Sequence, residues 1–270
     1  MSTTREGSVS HGKPTHRQDG RRHRGGGRAG HRDRGAARHR GADVVAVGSG
    51  RTPLDGVRAA VEATGANVAT VEGDVATAEG VAAYLAAAAD RFGRLDVLVN
   101  NAGVQAGIGP LSDLPEEAFD RLMNVNVRSV FLGLKHGGRT MAEQGGGVIV
   151  NVASVAGLRG VPLIAAYTAS KHAIIGLTKA AAAELAGAGV RVSAVAPGVI
   201  ESPMMRGIEN GAAPGAPEQA KAAYTALTQL GRYGTPEEVG GAVAFLASDD
   251  ASYMTGGYLR LDGGMAVDSA

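Results

Sequence analysis

The stretch Val148–Lys179, VIVNVASVAGLRGVPLIAAYTASKHAIIGLTK, decides how this chain is read. Val148, Ile149, Val150 and Val152 are apolar and β-branched, the pattern of a strand buried on both faces of a parallel sheet, and Ser154 stands just past the strand's end. After a loop with Gly157, Gly160 and Pro162, an alanine-rich helical segment carries Tyr167 and Lys171 four residues apart. That spacing puts both side chains on one helix face.

A Tyr and a Lys one turn apart, facing a Ser, suit proton transfer coupled to hydride transfer. A free phenol titrates near ~10, too high for a base at neutral pH, and a nearby ammonium is expected to draw that value down. Ser154 is placed to hydrogen-bond a substrate oxygen and hold it within reach of the phenol. A Tyr-x-x-x-Lys pair also arises by chance on helices, so the rest of the chain has to decide.

Outward from that stretch the chain alternates strand and helix. Ala42–Val47 is a short apolar strand, followed by Gly48, Ser49, Gly50 and Arg51 and a helix over 54–64. Asn67–Val71 and Leu95–Asn100 are further strands, with a helix over 77–92 between them and a helical region over 115–141 after them. Val190–Ala196 and Tyr258–Leu261 complete the strands, and Pro236 opens a helix over 236–247. Residues 201–217, rich in Gly and Pro, read as an irregular lid, with a helix over 218–230 beside it. The alternation predicts an α/β fold, a doubly wound parallel sheet in a single Rossmann-type domain over 41–270.

In such a sheet ligands bind outside the carboxyl ends of the strands. Asp74, Asn101, Ala102, Gly103, Ser154, Pro197 and Gly198 all fall there. Glycine at 103 and 198 lets a cofactor approach the backbone, and Asp74 is suited to accept a hydrogen bond from an adenine amine. Each alone also reads as a turn or a helix cap. Their common edge is what argues for a site.

Composition narrows the class. There is no cysteine among the 270 residues, which removes disulfides and thiolate metal sites and fits a reducing compartment. No run of about 18 apolar residues and no secretory core follow the basic start, so the chain reads as cytoplasmic with no membrane partner. The net charge of +1 hides an asymmetry. Of 27 Lys/Arg and 26 Asp/Glu, residues 1–40 hold 11 and 3, a balance of +8, leaving 16 and 23, or −7, for residues 41–270.

Residues 1–40 also hold five of the seven His and almost no aliphatic residues, so by composition they are expected to be disordered. One reading is an Arg/Gly-rich arm on a catalytically idle fold, binding nucleic acid or an acidic partner. The arm has no interleaved aromatics for base stacking, which makes nucleic acid a poor fit. The preferred reading is a shifted frame. Arg17–Arg24, RQDGRRHR, written CGG CAA GAC GGC CGT CGT CAC CGG, becomes Gly-Lys-Thr-Ala-Val-Val-Thr-Gly when moved by one base. Gly30-His31-Arg32 likewise hides Gly-Ile-Gly, so the shifted frame supplies an apolar strand and a glycine-rich loop.

Taken together, Asp74-Val75, Asn100-Asn101-Ala102-Gly103, Asn126 within NVNV, Ser154, Tyr167-x-x-x-Lys171, Pro197-Gly198-Val199-Ile200-x-Ser202 and Leu261-Asp262-Gly263-Gly264 resemble the short-chain dehydrogenase/reductase family over Gly41–Met265. The resemblance implies NAD(P)-dependent interconversion of a ketone and a secondary alcohol, with epimerase and dehydratase chemistries as variants on the same pair. It implies Tyr167 as the acid/base, Ser154 orienting the carbonyl, and Asn126 supporting a relay water through Lys171. Lys171 would also meet the nicotinamide ribose, Ile200 and Ser202 the carboxamide, and Asn101 to Gly103 the adenosine ribose side. It implies a homotetramer or homodimer through the helices near Pro115 and Leu163. His172, Lys135 and His136 are expected to face solvent.

The family's first strand and Thr-Gly-x-x-x-Gly-x-Gly loop are missing from the chain as written, so the first strand is absent or aberrant. That strand belongs in the middle of the sheet, and its loop cradles the pyrophosphate. Burying RRHR there would leave several cations unpaired at several kcal/mol each, on the order of a domain's whole stability. The chain is therefore expected to bind cofactor poorly. Position 48 is Gly where an acidic residue would favour NAD, and Arg51 is suited to a 2′-phosphate, which leans towards NADP.

Overall fold

The computed structural model describes residues 42–49 and 54–267. The expectations for residues 1–40 and for Arg51 lie outside the described residues. Among the described residues the strands are β1 (Val44–Gly48), β2 (Val68–Glu72), β3 (Val97–Asn100), β4 (Gly147–Val152), β5 (Val190–Pro197) and β6 (Tyr258–Leu261), and every pairing is parallel. Between them run α1 (Asp55–Glu62), α2 (Ala78–Phe92), α3 (Glu116–Met123), α4 (Ser129–Leu132), α5 (Gly138–Glu143), α6 (Ala165–Leu185), α7 (Pro203–Ala212), α8 (Pro217–Ala226) and α9 (Pro236–Ala247). This is the doubly wound α/β sheet that the alternation predicts.

Period-two patterning sets the layers. Ile149, Ala153, Val192 and Ala194 face one side and pack with Ile174, Ile175 and Ala182 of α6 and Met141 of α5. Val148, Val150 and Val195 face the other and pack with Leu246 of α9. Alternate residues of one strand thus fill two cores, and each fully buried Val, Ile or Leu contributes about 1.5–3 kcal/mol. On α6 the buried stripe Ala166, Ser170, Ile174, Thr178 and Ala182 recurs every four residues, which turns Lys171 inward beside it.

The ladder is in two pieces. One has the order β1-β2 and the other β3-β4-β5-β6; β1 and β3 are not hydrogen-bonded to each other. Both nonetheless pack on one cluster, in which Val81 and Tyr84 of α2 and Leu132 of α4 meet Val45 and Val47 of β1 and Leu98 of β3. The opposite face there is thinly covered: α1 has no buried residue, and Val97 and Val99 of β3 are 38% and 40% exposed. A strand edge flanked by bare valines is a liability that folded sheets usually cover.

Local signals explain the helix ends. Thr77 Oγ1 accepts from the Gly80 N–H at 3.1 Å to start α2, and Gly93 at φ 78° ends it. Thr235 and Glu238 form a capping box ahead of α9, with Pro236 in its first turn. Residues 116–143 are helical throughout, with wide π turns at Asn124–Arg128 and Gly133–Gly137.

The expected irregular lid over 201–217 is instead mostly α7. Ser202 Oγ caps it by accepting from the Met205 N–H at 3.1 Å, Pro203 fits its first turn, and Met205 and Glu209 give it a buried face. Those start signals outweigh its Gly content. The helix expected over 218–230 is α8, which stops at Ala226.

Candidate active site

β4 ends at Val152, and the chain crosses the sheet edge with Ala153 and Ser154 buried. Ser154 Oγ accepts from the Ala156 N–H at 3.2 Å and donates to the Pro197 carbonyl, at the end of β5, at 3.4 Å. Tyr167 lies in the first turn of α6, with its phenol close enough to Ser154 for that hydroxyl to favour its ionised form. Lys171, 3% exposed, follows one turn later; its Nζ donates to the Val152 carbonyl at 2.8 Å and lies 5.4 Å from the centre of the Tyr167 ring.

The electrostatics differ from the expected lysine-lowered phenol. Burial pushes the Tyr167 phenol above the usual tyrosine value, and the Ser154 hydroxyl pulls it back only in part. Burial also lowers the Lys171 ammonium to about 8. The ammonium lies over the ring and binds a backbone carbonyl, so desolvation outweighs attraction for both groups. At neutral pH the pair is a protonated phenol beside a charged lysine close to its titration point.

Asn126, fully buried in the first π turn, holds the Val104 backbone by both its N–H and its C=O, and its Nδ2 also donates to Ser170 Oγ at 3.2 Å. Ser170 Oγ donates to the Tyr167 carbonyl at 2.8 Å. The Asn126 side chain therefore ties the loop after β3 to the helix that carries Tyr167, and Ser170 is a member of the site that sequence reasoning missed. A second missed chain crosses the sheet. Asn100 Nδ2 donates to Asn151 Oδ1 at 2.8 Å, and Asn151 Nδ2 donates to Thr178 Oγ1 at 2.9 Å. Equivalent asparagines at matching points of β3 and β4 are the signal that would have found it.

The remaining expected residues divide. Gly103 joins the centre: a Cβ there would lie 3.6 Å from Asn126 Oδ1 and 3.7 Å from Lys171 Nζ. Gly198 is explained by packing, since a Cβ there would meet Asp262 Cα at 2.9 Å. Asn101 and Ala102 are exposed past β3, and Ile200 bridges to Gly234. Asp74 is exposed beyond β2 and accepts from the Ala76 N–H at 2.9 Å, while Val75 packs into the core beside α2. His172 and Lys135 are exposed as expected, and His136 is half-buried.

A nicotinamide ribose fits the residues present, because Gly103 sets no side chain beside the buried Lys171, whose Nζ lies 3.7 Å from where a Cβ would stand. Where β1 ends, the described residues that could meet a pyrophosphate are Gly48, its last residue, and Ser49.

A family model described as enoyl-(acyl carrier protein) reductase matches residues 35–266. The chain belongs to the short-chain dehydrogenase/reductase family. Levodione reductase of Leifsonia aquatica is 38% identical over 229 residues, 84% of this chain and 86% of that protein. A crystal structure of levodione reductase superposes with a TM-score of 0.83 at 37% identity, covering 86% of this chain and 91% of that one. Cis-4-hydroxycyclohexanecarboxylate dehydrogenase of Sinomonas cyclohexanicum is 40% identical over 225 residues, 83% of this chain and 87% of that protein. A crystal structure of NAD+-bound xylitol dehydrogenase matches with a TM-score of 0.79 and 34% identity, over 84% of this chain and 90% of that one. Short-chain dehydrogenases/reductases are NAD(P)-dependent oxidoreductases, and this chain is one of them by sequence and by fold. Among its described residues no helix is long and apolar enough to cross a membrane.

Proposed function

We propose that this short-chain dehydrogenase/reductase interconverts a ketone and a secondary alcohol, with Tyr167 as the proton donor and acceptor and Ser154 orienting the substrate oxygen. The observation that carries this reading is the convergence of Tyr167, in the first turn of α6, and Ser154, past the end of β4, on a buried Lys171 whose Nζ is held by the Val152 carbonyl at 2.8 Å and lies 5.4 Å from the Tyr167 ring. The nicotinamide supplies or removes the hydride. In reduction the substrate oxygen takes the Ser154 hydroxyl hydrogen bond, and Tyr167, kept protonated by burial, gives that oxygen its proton. Lys171, with a pKa of about 8, returns a proton to the phenolate from solvent. Asn126 and Ser170 keep the loop and helix in register.

Lys171, Asn101, Ala102 and Gly103 would hold the ribose groups, Pro197, Gly198, Ile200 and Ser202 the carboxamide, and Asp74 and Val75 the adenine. The relatives' names, a reductase of levodione and dehydrogenases of xylitol and of cis-4-hydroxycyclohexanecarboxylate, support a carbonyl or hydroxyl substrate without converging on one. Gly48 in place of an acidic residue at the end of β1, with Arg51 beyond it, supports NADP as the preferred cofactor. Exposed Leu111, Phe119 and Phe131 around α3 and α4 support assembly into a homodimer or homotetramer, and the lack of cysteine supports a cytoplasmic setting.

We further propose that the gap between β1 and β3, which no strand fills among the described residues, weakens cofactor affinity. The unjoined β1 and β3, the bare Val97 and Val99, and an α1 without buried residues support that reading. Residues 17–40 read one base forward would supply the strand and the glycine-rich loop. The test is differential scanning with NADH and NADPH on this chain and on a version carrying the shifted-frame residues. The account expects the cofactor to raise the melting temperature of the second by several degrees and to leave the first nearly unmoved. A full shift on the chain as it stands would overturn it.

A further inference from the structure

Where the chain leaves β5 it carries a cluster of charged and aromatic groups that takes no part in the chemistry proposed above. Lys221 of α8 donates through Nζ to Glu201 Oε1 at 2.7 Å, and the same Nζ lies 5.2 Å from the centre of the Tyr233 ring. The two charged side chains are partly exposed, at 34% and 40%, whereas Tyr233 is buried. The Glu201 hydrogen bond raises the Lys221 ammonium above its usual value, so Lys221 is charged throughout the neutral range.

The partners of Lys221 belong to two segments that are themselves joined. The Glu201 N–H donates to the Gly234 carbonyl at 2.9 Å, and the Gly234 N–H donates to the Val199 carbonyl at 3.0 Å. Beneath them Tyr233, Val199 and Met205 of α7 form one buried cluster, against which Ile208 of α7 and Tyr224 of α8 pack. α8 itself has little to hold it: Ala220 is its buried residue, and no side chain caps its start. An element with so few buried contacts opens easily, so a single ion pair weighs on its position.

The placement of α7 carries this to the reaction centre. α7 and α8 are joined by residues 213–216, with Gly215 at φ 81° in the turn. α7 has ten residues and is about 15 Å long. Its N-cap, Ser202, stands five residues past Pro197, whose carbonyl accepts from Ser154 Oγ at 3.4 Å. Near its other end a Cβ on Gly211 would lie 3.5 Å from Ile108 Cδ1. Next to Ile108, the Gly109 N–H donates to the Leu163 carbonyl at 3.0 Å, four residues before Tyr167. α7 therefore runs from the segment that Ser154 touches to the one that leads into Tyr167.

We propose that Lys221 is a positioning residue: its bond to Glu201 latches the α7–α8 hairpin beside Ser154 and Tyr167 and so sets how tightly the substrate is held. The proposal deepens the oxidoreductase reading above and rests on it for the class of substrate.

The test uses the full chain and its variants Lys221→Met, Lys221→Arg, Glu201→Gln and the double variant Lys221→Met with Glu201→Gln. Hydrogen–deuterium exchange over residues 203–226 is expected to quicken about threefold in Lys221→Met and in Glu201→Gln, no further in the double variant, and hardly at all in Lys221→Arg, with β4 and β5 unchanged. Melting temperatures should move by less than about 2 °C, because a partly exposed ion pair adds little to global stability. Steady-state reduction of cyclohexanone and cyclopentanone at one high NADPH concentration should rank the variants in the same order, with KM raised about two- to fivefold and kcat within about twofold. Unchanged exchange over 203–226 in Lys221→Met, or additive effects in the double variant, would overturn the latch. Quickened exchange with KM unmoved would overturn the positioning role. Exchange as expected with neither ketone turned over would support the latch and count against the oxidoreductase reading alone.

Discussion

Asn126 holds both backbone groups of Val104: its Oδ1 accepts from the Val104 N–H at 2.7 Å and its Nδ2 donates to the Val104 carbonyl at 3.0 Å. One fully buried side chain thus fixes the loop that leaves β3, two residues from the exposed Ala102 and one from Gln105.

Asn126→Ala strands those two backbone groups and removes the donor to Ser170 Oγ, which keeps its bond to the Tyr167 carbonyl. The expected cost is about 2–4 kcal/mol, and the melting temperature should fall by roughly 5–10 °C. Urea unfolding followed by circular dichroism checks it. A loss under about 0.5 kcal/mol would mean that the loop has other anchors.

Lys171 should make stability rise with pH in a defined window. Burial lowers its pKa from 10.5 to about 8, so between those values the unfolded chain holds a proton that the folded chain has released. Stability from this group is therefore lowest below pH 8 and climbs by about 3 kcal/mol by the upper end of the window. Tyr167, shifted upward, acts in the opposite sense only above pH 10. Lys171→Met should remove the climb, and the 13Cε resonance of Lys171 should titrate near pH 8.

Two glycines should behave oppositely. A methyl on Gly80 would run into the Asp74 carbonyl, the close approach that seats α2 against the end of β2. Gly80→Ala is expected to cost about 3 kcal/mol or more. Gly56 in α1 has nothing within 4 Å, so Gly56→Ala is expected to gain about 0.5–1 kcal/mol. Thermal melts of the two variants in parallel would show shifts of opposite sign.

The direction of catalysis should follow the phenol. With Tyr167 held protonated at neutral pH, ketone reduction is expected to be nearly flat from pH 6 to 8, whereas alcohol oxidation, which needs the phenolate, should rise towards pH 10. Initial rates in both directions across that range provide the check.

Much of this was legible in the chain itself. β-branched runs predicted the strands to within two residues because both faces of β4 and β5 are buried, leaving no polar register to confuse the pattern. Tyr167, Lys171 and Ser154 stand out in the sequence by helical spacing and by position at a strand end, and the structure places Tyr167 and Lys171 together where β4 ends. The pair's electrostatics were not legible: where Lys171 Nζ points is set by the Val152 carbonyl, a tertiary contact. Ser170 escaped notice because a serine in the middle of a helix usually signals nothing. The helical character of α7 is hidden in the sequence because Gly and Pro content masks the Ser202-Pro203 start.

The most direct test of the central claim follows deuterium from C4-labelled NADH or NADPH into a panel of ketones. The panel is run with this chain, with the version carrying the shifted-frame residues 17–40, and with Tyr167→Phe in each. The account predicts label on the carbinol carbon, far more of it with the shifted-frame version, and a loss of at least about 100-fold in Tyr167→Phe. Turnover that survives the loss of the Tyr167 hydroxyl, or no label from any ketone with either chain, would contradict it.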